Sequence, residues 1–303
     1  MTGPAAGDAE RLLEEARGLT DPRLARLAEA VAAEHGDVLG AALAYALRSE
    51  GKRVRPALVL GAYQAVGGLN PAIGGVGAAV EVVHTYSLVH DDLPCMDDDD
   101  QRRGRPTTHV VYDVPTATRA GWLLVSVAVE TLAEAVEDLG LTPGILGQMA
   151  GVLLEAGGAR GMVGGQWLDL EAEGRSPGLT GLRAIHAAKT GALIRAACGL
   201  GALAGRASAE QIMVLDRFAS DLGLAFQVAD DVLDATATSV QLGKTAGRDA
   251  ALAKSTYVAE LGVDGARREA EALMERAVAH LDGSGLAAAP LRALAHYIVA
   301  RRS

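Results

Sequence analysis

Aromatic residues are nearly missing: two Phe, two Trp and six Tyr make up 3% of 303 residues. β-Rich cores draw on aromatic and β-branched residues, so strands have little to build on here. Cysteine is scarcer still. Cys95 and Cys198 cannot form a disulfide framework, and no CxxC or His/Cys set has the spacing of a structural zinc site. That usage points to a reducing, cytoplasmic location. The opening residues, MTGPAAGDAERLLEEARG, lack the basic region and apolar run of a signal peptide. One uncharged stretch, Ala57 to Val80, is long enough to span a bilayer. Gln64 and Gly67-Gly68-Leu69-Asn70-Pro71 divide it into a helix stop and a restart. Two buried helices joined by a turn are expected, with no stable membrane insertion. Positive charge is also short: 28 Lys+Arg against 38 Asp+Glu leave −10. Neither nucleic acid nor an anionic membrane suits that balance as main partner.

What is present is half hydrophobic and 22% charged, which excludes a mainly disordered chain. Apolar residues recur at helical spacing in Leu24–Glu34, Val38–Arg48, Ala117–Leu139, Leu182–Leu203, Ala209–Leu233, Ala266–Leu281 and Leu286–Arg301. Caps are expected at Asp21-Pro22, Asn70-Pro71, Thr142-Pro143 and Ser208. Gly157-Gly158, Gly164-Gly165 and Gly199–Gly205 read as close-packing points. No repeat, low-complexity tract or linker divides the chain. The expectation is one all-α domain over 1–303, of about ten or more helices, the most apolar of them central.

The negative charge is concentrated. Six aspartates fall in 91–100 (DDLPCMDDDD) and three in 230–234 (DDVLD). Setting those nine aside leaves 29 acids against 28 bases. On a helix turning about 100° per residue, with Asp230 at the origin, Gln227, Asp231 and Asp234 lie at about 60°, 100° and 40°. One amide and three carboxylates therefore crowd one face of an otherwise apolar segment, LGLAFQVADDVLD. Charges of one sign in a partly buried cleft need cations to offset them. In the first cluster, Asp91 and Asp92 close an apolar helix that Pro94 cannot continue. Asp97 would stand about 240° from Asp91 on a straight helix, so a shared site requires a bend, which Pro94 supplies. His84, seven residues upstream, lies within about 20° of Asp91. Carboxylates clustered without His or Cys suit a hard cation, and Mg²⁺ sharing substrate phosphates is the best chemical reading. Neither cluster has the calcium-loop ladder.

Cationic side chains should then face the phosphates. Candidates are Gly51-Lys52-Arg53-Val54-Arg55-Pro56, Arg102-Arg103, Lys189-Thr190-Gly191, Gly243-Lys244-Thr245 and Lys254-Ser255-Thr256-Tyr257. Arginine forks offer two-point phosphate contacts. A nucleotide P-loop at Gly243-Lys244-Thr245 is excluded because the glycine it needs upstream is Thr238.

Together these motifs make the chain resemble the trans-isoprenyl diphosphate synthase (polyprenyl synthetase) family, most closely its bacterial short-chain branch. The elements are GKRVRP at 51–56, HTYSLVHDDLPCMDDDDQRRGRPTTH at 84–109, GGQWLDL at 164–170, HAAKTGALIRAA at 186–197, FQVADDVLD at 226–234, LGKTAGRD at 242–249 and KSTY at 254–257. The resemblance implies an all-α fold around a central cavity (the isoprenoid synthase type I fold), usually a homodimer. It also implies head-to-tail condensation of isopentenyl diphosphate onto an allylic diphosphate. By position, Asp91, Asp97 and Asp230 resemble direct Mg²⁺ ligands, with roughly three ions bound once substrate is present. Asp92, Asp231 and Asp234 resemble supporting ligands. Lys52, Arg55, His84 and Arg103 match the isopentenyl diphosphate site. Arg102, Lys189, Thr190, Gln227, Lys244 and Lys254 match the allylic site, with Lys189 and Lys244 also expected to assist catalysis.

In that family, bulk four or five residues before the first acid motif limits product length. Tyr86 and Ser87 occupy those positions, and an aromatic at the first resembles farnesyl diphosphate synthases, with a geranylgeranyl product as the alternative. Two further readings are a class I terpene cyclase and a non-catalytic synthase subunit. The DDVLD motif with the basic pair at Lys52 and Arg55 speaks against the first, and two intact acid motifs speak against the second.

Overall fold

The computed structural model describes residues 4–236 and 255–300. Among them are thirteen α-helices and one two-stranded hairpin. In chain order the helices are α1 (Pro4–His35), α2 (Val38–Leu47), α3 (Val54–Ala65), α4 (Ile73–Asp91), α5 (Thr108–Val111), α6 (Val114–Asp138) and α7 (Pro143–Gly157). Then come α8 (Met162–Glu171), α9 (Gly178–His186), α10 (Ala192–Ala204), α11 (Ala209–Thr236), α12 (Tyr257–His280) and α13 (Ala289–Ala300). A π-turn (Ala187–Gly191) joins α9 to α10. Strands β1 (Gln101–Arg102) and β2 (Arg105–Pro106) pair antiparallel around Gly104.

Helix α4 is central because it is apolar all round: every residue from Ile73 to Val83 is buried. It packs against α1, α3, α6 and α10. Alanine and glycine let these helices approach closely, which is why so few aromatics suffice. A Cβ on Gly74 would stand 2.5 Å from the Leu19 carbonyl oxygen, so α1 and α4 meet backbone to backbone. The stretch from Ala57 to Val80 is, as expected, two buried helices and a turn. Among the described residues no helix is long and apolar enough to cross a membrane.

Several caps are where the sequence places them. Thr142 accepts from the Ile145 N–H with Pro143 following it, and Ser208 and Gln211 bond each other's backbone N–H groups reciprocally. Asn70 accepts from the Ala72 N–H just before α4.

Two expectations are corrected. Asp21-Pro22 starts no helix, since α1 runs through Pro22 from Pro4. The Asp21 carboxylate is instead engaged by Arg53 Nε at 2.6 Å, and Ala9, Leu12, Leu13 and Ala16 extend the buried stripe upstream. Nor is Leu182–Leu203 one continuous helix. It widens at Ala187–Gly191, where α8 and α11 press on its backbone: a Cβ on Gly165 would lie 2.1 Å from the Lys189 nitrogen, and one on Gly223 would lie 2.8 Å from the Gly191 Cα.

Candidate active site

Helices α3, α4, α8, α10 and α11 surround a cavity of about 1010 Å³. Asp91 from the end of α4 and Asp230 from α11 both line it, so the two acid motifs face one space. Around it stand Lys52, Arg55, His84, Arg102, Arg103 and Lys189. The spacing argument for His84 and Asp91 holds, since both lie on the cavity side of α4.

The bend after Asp91 is made by backbone bonds. Asp97 N–H donates to the Asp91 carbonyl at 2.8 Å, and Asp99 N–H to that of Asp92 at 3.2 Å. This folds the loop back on the helix end, leaving Asp97 half-buried beside Asp91. Burial, together with the charges of Asp97 and Asp92, pushes Asp91 up to about 6, against the pull of Lys189 and Arg102. Burial likewise raises Asp92, although Arg102 Nε donates to it at 2.6 Å. Arg102 also reaches Asp99 at 3.0 Å, so it is held between two acids.

On α11 the four polar residues divide by direction. Gln227 and Asp230 line the cavity. Asp231 turns away and is buried, accepting from the Tyr257 N–H at 2.8 Å and the Gln227 amide at 3.1 Å. Asp234 is buried one turn on. Thr190 donates to Gln227 Oε1 at 2.7 Å, which ties the π-turn to α11. Lys189 Nζ meets Asp169 at 2.6 Å. Burial alone would lower this lysine, but Asp169, Asp91 and Asp97 outweigh it and hold the ammonium above its ordinary value.

The basic wall is built from two segments with strained backbone, the loop before α3 and the β1–β2 turn. Arg53 and Arg103 both adopt left-handed backbone, at φ 55° and 53°, unusual for residues with side chains. Arg103 donates to the Glu50 carbonyl. Burial and then the charges of Arg55, Arg103, Arg102 and Arg53 lower His84 well below the ordinary histidine value. It is therefore neutral near pH 7. Ser87 lines the cavity, whereas Tyr86 is packed edge-on against His90 with ring centroids 5.0 Å apart. Lys244 and Lys254 lie outside the described residues.

Spacing arguments missed Glu81, Gln166 and Asp169. Glu81 and Gln166 line the cavity, and Asp169 anchors Lys189. Glu81 reads as one more residue of an apolar helix. Gln166 and Asp169 carried a signal only as part of GGQWLDL.

Among the described residues, no three Asp, Glu, His or Cys side chains are grouped closely enough to hold a metal ion by themselves. Mg²⁺ takes oxygen ligands and completes its shell with water and substrate phosphates. The donors facing the cavity are carboxylate oxygens on two helices, with cations beside them for phosphate.

The polyprenyl synthetase family model matches residues 37–284. The chain belongs to the polyprenyl synthetase family. It is a prenyltransferase with the all-α type I isoprenoid fold. This polyprenyl synthetase is 39% identical to the farnesyl diphosphate synthase of Geobacillus stearothermophilus, over 96% of this chain and 97% of that one. It is 44% identical to the heterodimeric geranylgeranyl pyrophosphate synthase large subunit 1 of Arabidopsis thaliana, over 86% of this chain and 72% of that one. The geranyltransferase of Helicobacter pylori, solved with magnesium and isoprenyl diphosphate, superposes with a TM-score of 0.79 at 29% identity, covering 98% and 97% of the two chains.

Proposed function

We propose that this polyprenyl synthetase makes farnesyl diphosphate by condensing isopentenyl diphosphate with dimethylallyl or geranyl diphosphate, using Mg²⁺, as a homodimer of one-domain chains. The observation that carries the reading is that Asp91 and Asp230 share one cavity with Lys52, Arg55, His84 and Arg103. The nearly full-length likeness to the Geobacillus enzyme and the aromatic Tyr86 favour the fifteen-carbon product.

Asp91, Asp97 and Asp230 would hold the metal, which when bound neutralises charge on the departing pyrophosphate. Lys189 and Arg102 stand beside Asp91 and stabilise the same leaving group. Asp169 keeps the Lys189 ammonium in place. Asp92 and Asp99 hold the Arg102 guanidinium. Asp231 and Asp234 support the second motif from behind, Asp231 by fixing the start of α12. Thr190 and Gln227 extend the allylic wall, and Lys244 and Lys254 would add to it.

On the other side, Lys52, Arg55 and Arg103 bind the isopentenyl diphosphate, with neutral His84 as a hydrogen-bond partner. The allylic C–O bond breaks with its electron pair leaving on pyrophosphate. The isopentenyl double bond then attacks the allylic carbon, and a pyrophosphate oxygen takes the proton released. Holding both substrates in one cavity makes the second step local. Leu193, Met162 and Phe226 line it and exclude water.

A second copy would cover Trp122, 66% exposed on α6, together with Val114, 40% exposed at the start of that helix. Sedimentation of the wild type and of Trp122→Glu tests this, with dimer and monomer expected.

Isopentenyl and geranyl diphosphates with Mg²⁺ should yield farnesyl diphosphate. A geranylgeranyl product would assign the chain to the twenty-carbon synthases. Cyclic hydrocarbon would make it a cyclase, and no turnover with binding to another synthase would make it a subunit.

A further inference from the structure

Gln166 is 3% exposed, lines the cavity, and has no hydrogen-bond partner among the described residues for either Oε1 or Nε2. Because both ends are unmatched, turning the amide over changes nothing. Leaving a buried amide unsatisfied is costly, so a cavity-facing one is suited to something that enters the cavity. Its partner is indicated by its place along α8. Met162, one turn earlier on the same face, is apolar and lines the cavity. Asp169, nearly one turn later, holds Lys189 at 2.6 Å. Gln166 therefore stands between the hydrocarbon end and the phosphate end. In an allylic diphosphate that boundary is the carbon bearing the leaving group. The close contact of Gly165 with the Lys189 backbone fixes α8 at that height.

We propose that Gln166 is a catalytic residue whose amide carbonyl faces the positive charge developing on the allylic carbons as the C–O bond breaks. The pyrophosphate would be met by Lys189, Arg102 and the metal, and the cation left behind is of opposite charge, so it calls for an acceptor rather than a donor. A fixed carbonyl dipole stabilises the cation without supplying a nucleophile that would trap it. No bond to Gln166 forms or breaks. The inference rests on the prenyl-transfer reading above.

The test uses the full chain with Mg²⁺ and two variants, Gln166→Leu and Gln166→Met. Both should lose roughly 10- to 100-fold in kcat, with KM for each diphosphate held and the thermal midpoint unchanged or raised. Unchanged kcat, or a higher KM at constant kcat, overturns the proposal. A second measurement titrates an allylic diphosphate analogue with a tertiary ammonium at the branched carbon, against its uncharged carbon counterpart. Wild type should prefer the ammonium form and both variants should lose that preference. A preference equal in wild type and variants overturns the role of Gln166. Absence of condensation by the wild type overturns the proposed function instead, and the ammonium comparison still decides Gln166.

Discussion

Arg53 Nη1 donates to Glu81 Oε2 at 2.9 Å, joining the basic loop to the central helix between two side chains that are 9% and 5% exposed. The same guanidinium reaches Asp21 at 2.6 Å and the Ser49 carbonyl at 3.2 Å. Arg53 thus sets the loop that presents Lys52 and Arg55. Glu81→Ala removes the buried partner of Arg53, leaving the more exposed Asp21 to pair it, and should cost about 1–3 kcal/mol. Urea unfolding measures that loss, and steady-state kinetics should show KM for isopentenyl diphosphate rising more than KM for the allylic substrate. Arg53→Lys should not restore the site, because an ammonium cannot span three acceptors in a plane.

Asp91→Ala and Asp230→Ala should leave the helical fold intact by circular dichroism while turnover falls by about a hundredfold or more. Each substitution removes one charge from a crowded acidic group, so neither should lower stability much. Activity retained in either variant would mean that the metal ligands have been misassigned.

Gly165→Ala puts a methyl 2.1 Å from the Lys189 nitrogen and 2.5 Å from its Cα. Backbone cannot yield there, so α8 must shift, at a cost of about 1–3 kcal/mol and with loss of activity as Lys189 moves. Gly147→Ala, on α7 with nothing within 4 Å, is the control and should be neutral or stabilising by about 0.5–1 kcal/mol. Thermal melts of the two variants separate steric clash from helix propensity.

Burial, and secondarily the nearby Lys189, push His186 down to about 4, against the opposing charge of Asp169. Its ring lies 5.5 Å from that of Tyr257. The folded state holds it neutral, while the unfolded chain takes up a proton below about 6.5. Its contribution is therefore fully present above pH 6.5 and lost as pH falls to about 4, a change of about 3 kcal/mol. Urea midpoints measured across that window should show the loss, and His186→Phe should flatten it.

Tyr86→Ala should lengthen the product. Tyr86 is half-buried against His90, and Ser87 beside it lines the cavity, so removing the ring opens space next to the wall. Chromatography of the dephosphorylated products reads the outcome, and an unchanged chain-length distribution would remove Tyr86 from the account of specificity.

Much of this molecule is legible along the chain because helical periodicity and caps are local. The stripe of Ala209–Leu233, the cap at Thr142-Pro143 and the break between Ala65 and Ile73 each depend on residues a few positions apart. The concentration of nine aspartates in two motifs, and the bend that Pro94 permits, are equally local. Pro22 shows where local reading fails. Its usual meaning is a helix start, but Asp21 is drawn to Arg53 from a distant loop and the helix continues past both.

Sequence alone determined the helical class and the two acid motifs, because residue types and short spacings carry both. Tertiary packing decided which members of those motifs reach the cavity. Asp230 faces it, while Asp231, one residue on, is turned about 100° into the core to hold the Tyr257 backbone. Packing also widened the turn at Lys189 against Gly165, and brought Gln166 into the cavity wall. Those outcomes depend on contacts between segments far apart in the chain, which no local spacing encodes.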